Sequence, residues 1–188
     1  MEDPLQLAVV IGSTREGRFG PVVTEWFVSQ AATRDDMELD VIDVADADLP
    51  AVFPSRRLPA VTAYAERIDR ADAFVVVTPE YNHGYPASLK QAIDLAGGWK
   101  AKPVGFVSYG GMAGGLRAVE QLRQVFAELH AVTVRDTVSF HDFWRRFDES
   151  GEPLDAAGCN AAAKVMLDQL AWWGHALAEA RARRPYAA

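Results

Sequence analysis

Thr78-Pro79-Glu80-Tyr81-Asn82-His83-Gly84-Tyr85-Pro86 decides how the rest of the chain is read. Just before it, residues 73–77 (Ala-Phe-Val-Val-Val) form a short apolar run rich in β-branched side chains, the pattern of a strand buried on both faces. Pro79 ends that strand and holds Thr78 extended. Pro86 suits the first position of a helix, where an N–H would be unpaired in any case. Leu89, Ala92, Ile93 and Ala96 then share one helical face, and Gly97-Gly98 supply a stop. Residues 80–85 are therefore predicted to be a short loop with several free backbone N–H groups. It lies at the carboxyl end of a strand, where an open α/β sheet takes its ligand.

The same alternation recurs on both sides. Leu5–Ile11 is an apolar strand, followed by the loop Gly12-Ser-Thr-Arg-Glu-Gly-Arg-Phe-Gly-Pro21 and a helical face of Val22, Val23, Trp26, Phe27 and Ala31. A second strand is expected over 38–44, an acidic, proline-bounded connection over 46–54 and a second helix over 59–70. Downstream, a strand over 103–107 leads into Ser108-Tyr-Gly-Gly-Met-Ala-Gly-Gly115, then a helix striped by Leu116, Val119, Leu122, Phe126 and Leu129. A fifth strand is expected over 131–138, where Val132, Val134 and Val138 alternate. Residues 140–158 are irregular, aromatic and charged, long for a connection. A last helix is expected to bury Ala162, Met166, Leu170, Trp173 and Leu177.

Five βα units in succession imply a parallel sheet with helices on both faces. With right-handed crossovers, the arrangement that suits them is a flavodoxin-like three-layer α/β sandwich, strand order 2-1-3-4-5, forming one domain over residues 1–188. Strands one, three and four are then neighbours, and the three unusual loops follow those three strands. They converge on one rim, beside the switch point between strands one and three.

Composition narrows the function classes. A chain of 188 residues with 49% hydrophobic and 24% charged residues has the balance of a globular domain able to bury a core. A net charge of −7 argues against nucleic-acid or membrane-surface partners, while leaving room for a small anionic ligand. Cys159 is the only cysteine, so no disulfide or cysteine-ligated centre is expected. His130, His141 and His175 lie on separate elements and read as structural, and no metal site is expected. No apolar run is long enough for a bilayer and no signal-peptide pattern opens the chain, so a cytoplasmic location is expected.

Each loop suits a different part of one ligand. In the first, Gly12, Gly17 and Gly20 allow tight turns beneath a helix amino terminus, Ser13 and Thr14 offer hydroxyls, and Arg15 and Arg18 offer charge-assisted donors to phosphate. It is neither a Walker A loop nor a Gly-x-Gly-x-x-Gly fingerprint. In the second, residues 79–83 can present backbone N–H groups, with Tyr81 and His83 as flat surface. In the third, the glycines let a planar group lie against the backbone. A flat heterocycle bearing one terminal phosphate fits all three, and FMN is the natural candidate.

At these residues the chain resembles the NADPH-dependent FMN reductases, a flavodoxin-like group that includes quinone, azo-dye and chromate reductases. The matching pieces are Gly12-Ser-Thr-Arg15 with Arg18 to Pro21, Thr78-Pro-Glu-Tyr-Asn82 with Pro86 and Lys90, Ser108-Tyr-Gly-Gly111 with Gly114-Gly115, and Arg117-Ala-Val-Glu-Gln-Leu-Arg123. The resemblance spans residues 5 to 138, with the turn at 147–151 and the final helix also fitting.

The resemblance implies that Ser13, Arg15, Arg18, Phe19, Gly20 and Pro21 hold the FMN phosphate end. Pro79, Glu80, Tyr81, Asn82 and His83 would meet the isoalloxazine largely through backbone, and Ser108, Tyr109, Gly110 and Gly111 its pyrimidine end. It also implies hydride transfer from NADPH or NADH through FMN to a flavin, quinone or other small acceptor, in a homodimer or homotetramer; the physiological acceptor stays open, a partner monooxygenase being one alternative. No catalytic side chain is nominated, because the cofactor carries the chemistry. Some relatives have Ser-Phe-Asn where this chain has Arg18-Phe19-Gly20, a local departure. The alternative is a flavodoxin-like electron carrier without NAD(P)H activity; carriers usually use an uncharged phosphate loop, and Arg15 and Arg18 count against it. The aromatics of 140–147 could cover a neighbouring subunit's pocket or pack on the domain's own edge.

Overall fold

A computed structural model describes residues 3–187. Its elements alternate as β1 (Leu5–Ile11), α1 (Gly20–Ala31), β2 (Met37–Asp43), α2 (Pro59–Arg70), β3 (Ala73–Pro79), α3 (Ala87–Asp94), β4 (Pro103–Gly110) and α4 (Leu116–Glu128). Then follow β5 (Val132–Thr133), β6 (Val138–His141), a 3₁₀ turn at Phe143–Arg145 and the long α5 (Ala156–Arg183). The strands are parallel in the order β2-β1-β3-β4-β5, with β6 also paired to β4. This is the flavodoxin-like order expected from the sequence.

Every residue of β3 and β4 is buried, as a strand covered on both faces requires. On one face, Val23, Trp26 and Phe27 of α1 meet Met166, Leu167 and Leu170 of α5. On the other, Tyr64 and Ile68 of α2, Leu89 and Ile93 of α3 and Leu122 and Phe126 of α4 pack around Trp99. Truncating a side chain as deeply set as Phe126 to alanine costs about 3–5 kcal/mol.

Several boundaries differ from the sequence reading. The strands expected over 73–77 and 103–107 run on through Pro79 and Gly110, so the motifs begin inside the sheet. Pro86 is the extended residue before α3 (φ −61°, ψ 142°), and the helix ends at Asp94, ahead of Gly97-Gly98. The indole of the buried Trp99 donates to the Ile93 carbonyl (3.1 Å) at that end, a cap the periodicity does not reveal.

The fifth strand is two. β5 pairs with the start of β4 and β6 with its end, Val107 opposite Val138 and Gly110 opposite His141. Between them Arg123 of α4 donates to the carbonyls of Val134 (2.7 Å) and Arg135 (2.9 Å), and Gln169 accepts from the Asp136 amide (3.2 Å). These side chains take backbone groups that a continuous ladder would have used. In α5 the buried face is Ala163, Met166, Leu167, Leu170, Ala171 and Gly174, leaving Trp173 partly exposed. Exposed apolar residues such as Val165 and Trp172 interrupt the polar face of the helix, so periodicity alone does not select the buried one.

Candidate active site

Loop one leaves β1 at Gly12, whose amide bonds the Val77 carbonyl (2.9 Å) and whose carbonyl accepts from Ser88 Oγ (2.9 Å). Ser13 is fully buried, with Oγ 2.6 Å from Tyr81 Oη, so loops one and two are joined beneath the surface. Gly17 takes φ +65° as the chain turns, and the Arg18 amide closes the turn on the Arg15 carbonyl (3.1 Å). Phe19 precedes α1 without giving it a side-chain cap, and Pro21 sits in the first turn. The amino end of α1 is thus left without side-chain acceptors beside an exposed Arg15, an arrangement that suits an anion.

Loop two is a tight turn. Tyr81 and Gly84 exchange backbone hydrogen bonds (2.8 and 3.0 Å), and Asn82 and His83 between them have φ of +50° and +70°, as a type I′ turn requires. The Glu80 amide is bonded to the Tyr109 carbonyl (3.2 Å). The free N–H groups expected at Glu80 and Tyr81 are therefore already used. The Glu80 carboxylate is turned to α4: Arg117 Nε lies 2.6 Å from Oε1, and the Arg117 amide donates to Oε2 (3.3 Å) at the helix amino end. Arg117 Nη1 also donates to His83 Nε2 (2.6 Å), and Gln121 to the His83 carbonyl (2.8 Å).

Loop three is braced from the β6 side. Ser108 and Ser139 both donate to the Gly114 carbonyl (2.8 and 2.9 Å), His141 Nδ1 donates to the Met112 carbonyl (2.8 Å), and the Asp142 amide bonds Gly111 (3.0 Å). Gly115 has φ +86°, and a Cβ there would lie 2.7 Å from Ser108 Cβ, so glycine alone fits. The Tyr109 hydroxyl is buried without a hydrogen-bond partner among the described residues. Burial, then the neighbouring Tyr81, push this phenol well above its ordinary pKa range. A Cβ on Gly20 would come within 3.1 Å of that hydroxyl and 2.9 Å of Ile11 Cγ2. Glycine here makes room for Tyr109.

The three loops enclose a cleft of about 400 Å³. Arg15, Arg18, Phe19, Pro79, Glu80, Tyr81, Tyr109, Gly110 and Gly111 line it. Ser13 and Ser108 lie buried beneath, Gly20 and Pro21 belong to the first turn of α1, and Asn82 and His83 form the tip of loop two. The side chain of Arg18 is not presented as expected: both terminal nitrogens face Asp43 at 2.5 Å. Gly17, Phe143 and Trp144 complete the lining and were not among the sequence candidates. Phe143 stacks near Phe19 (4.9 Å) and Tyr109 (5.3 Å), so this segment walls the cleft of its own chain. The aromatic excess over 140–147 was the signal available for it.

A larger groove of about 500 Å³ between α1 and α5 lies away from the carboxyl edge of the sheet, and its Arg34 and Lys164 are already paired with acidic residues. Among the described residues no helix is long and apolar enough to cross a membrane.

A parallel sheet in the order 2-1-3-4-5, with a ligand-sized cleft over the ends of its central strands, defines a flavodoxin-like α/β protein. Residues 5–145 match the NADPH-dependent FMN reductase family, and the chain belongs to it. The chain is 35% identical over 131 residues to an NAD(P)H-dependent FMN reductase of Schizosaccharomyces pombe, covering 64% of each. It is 36% identical over 149 residues to a quinone reductase of Escherichia coli, covering 71% of this chain and 76% of that one. The match thus spans just under two thirds of the length of the Schizosaccharomyces pombe relative. Among solved structures, FerB, an NAD(P)H:(acceptor) oxidoreductase from Paracoccus denitrificans, superposes with a TM-score of 0.73 at 22% identity, over 91% of this chain and 97% of that one. At that identity the likeness concerns the fold.

Proposed function

We propose that this chain is an NAD(P)H-dependent FMN reductase. The observation that carries the reading is the convergence of three loops on one cleft, with an uncapped helix amino terminus and Arg15 at one end and a glycine floor at the other. When bound there, FMN supplies two-electron chemistry between NADPH or NADH and a flavin, quinone or other small acceptor. Arg15 and the first turn of α1 hold its phosphate. Gly110 and Gly111 let the planar ring approach the backbone. Arg117 neutralises Glu80, so that no unpaired carboxylate faces the ring, and Phe143 and Trp144 exclude water from one side. No side chain is needed as a proton donor or nucleophile.

The same reading treats residues 1–188 as one cytoplasmic FMN-binding domain that works as a homodimer or homotetramer. Exposed Trp144 and Trp172 support an assembly, since large aromatics are enriched at interfaces. A monooxygenase supplied with reduced flavin is a further partner.

The test is anaerobic titration of the FMN-loaded protein with NADPH and NADH, followed by turnover with a panel of acceptors. One-step bleaching of the flavin by either nucleotide is expected, with reoxidation by quinones. Absence of reduction by both nucleotides would move the assignment to an electron carrier, and failure to bind FMN would remove it.

A further inference from the structure

Arg18 lines the cleft, yet its guanidinium folds back beneath loop one. Nη1 and Nη2 lie 2.5 Å from the two carboxylate oxygens of Asp43, and Nη1 also donates to the Ser13 carbonyl at 2.7 Å. The two side chains are only 17% and 16% exposed. Asp43 is the last residue of β2 and is itself held in place: it accepts from the Ala45 amide (3.0 Å), and the next amide, Val44, bonds the Ile11 carbonyl (3.2 Å). One planar fork therefore joins the carboxyl end of β2 to the backbone of loop one at Ser13, the residue whose hydroxyl reaches Tyr81. A guanidinium spans a carboxylate in this bidentate way and an ammonium does not. Asp43, with Asp46 nearby, also offsets the Arg18 charge and raises its pKa. Arg15 lines the same cleft with no acidic partner among the described residues.

We infer that Arg18 is a positioning residue and not a phosphate ligand: through Asp43 it holds loop one in the conformation that offers its amides and Arg15 to the phosphate. This rests on the FMN reading above. It assigns a role to Asp43, a residue outside the cleft lining and 25 positions away in sequence. It also reverses a simple expectation. If Arg18 bound phosphate directly, removing the Asp43 charge would release the guanidinium and tighten FMN. If Arg18 is a clamp, the same change loosens the loop and weakens FMN.

The experiment is fluorescence titration of apoprotein with FMN at low and high salt for wild type, Asp43→Asn, Arg18→Met, Arg18→Lys, Arg15→Ala and the Asp43→Asn, Arg18→Met double variant. Each clamp substitution should weaken FMN about tenfold, with Arg18→Lys giving no rescue and the double variant no weaker than the worse single, because both act on one contact. The salt dependence of affinity should fall in Arg15→Ala and stay unchanged in the Asp43→Asn, Arg18→Met double variant, which removes a neutral pair. Wild-type or tighter affinity in Asp43→Asn, or losses that add in the double variant, would overturn the clamp and leave the flavin site intact. A wild-type protein that does not bind FMN would overturn the flavin reading. Hydrogen exchange of the ligand-free protein tests the clamp by itself: amides of residues 13–19 should exchange faster in Asp43→Asn, and unchanged exchange would overturn it.

Discussion

The Glu80 carboxylate, 8% exposed, lies 2.6 Å from Arg117 Nε, so the acid of the loop-two motif is paired with the first turn of the helix that follows loop three. The contact ties two of the three loops together and sets the charge on one side of the cleft.

Removing Arg117 leaves that carboxylate buried without its counter-ion. Arg117→Met is expected to lower stability by about 1–3 kcal/mol, below the full penalty of a buried pair because the arginine is partly exposed. Urea unfolding measures this. The Glu80→Gln, Arg117→Met double variant should recover most of the loss, whereas equal losses in single and double variants would show that Arg117 acts through its other contacts.

Arg15 should matter for binding and not for folding. Its side chain is exposed and makes no ion pair among the described residues, so Arg15→Ala is expected to leave the melting temperature unchanged. Loss of a charge-assisted contact of about 1.5–3 kcal/mol weakens FMN roughly tenfold or more. Titration of the apoprotein checks it, and unaltered affinity would place the phosphate elsewhere.

The Tyr109 hydroxyl is buried with no partner among the described residues. The hydroxyl makes no well-aligned hydrogen bond, and the Ser13 side chain and Gly20 backbone offset its burial only weakly, so Tyr109→Phe is expected to change stability by no more than about 1 kcal/mol. Thermal unfolding with and without FMN reads this. Marked destabilisation of the ligand-free protein would mean that the hydroxyl is hydrogen-bonded in solution.

Lys102 predicts a pH dependence far from the site. It is 7% exposed, and its Nζ donates to the carbonyls of Ile68 (3.0 Å) and Asp69 (2.8 Å) at the end of α2. Burial first, then Arg181, lower its pKa from 10.5 to about 8. Between those values the unfolded chain binds more protons than the folded one, so this group makes stability rise with pH from about 8 to 10.5. The rise should be about 2 kcal/mol after allowing for partial solvation. Urea unfolding of wild type and Lys102→Met across that window should give curves whose separation changes by this amount, whereas parallel curves would contradict it.

What the sequence determined by itself is local or periodic. The apolar runs at 5–11, 73–77 and 103–107 specify buried strands, their alternation with helical stripes specifies a parallel sheet, and that topology brings loops one, two and three together whatever their side chains do. Tertiary structure decided the partners. Ile11 is paired with Asp43 in the β1–β2 register, and only that alignment sets a carboxylate within reach of Arg18. Arg123, Gln169 and the β4 ladder divide the fifth strand, and the same detour carries Phe143 and Trp144 to the wall of the cleft. The physical reason is one of range. Periodicity and turn chemistry act within a few residues, whereas a guanidinium or an indole takes the partner that packing brings to it, often from far along the chain.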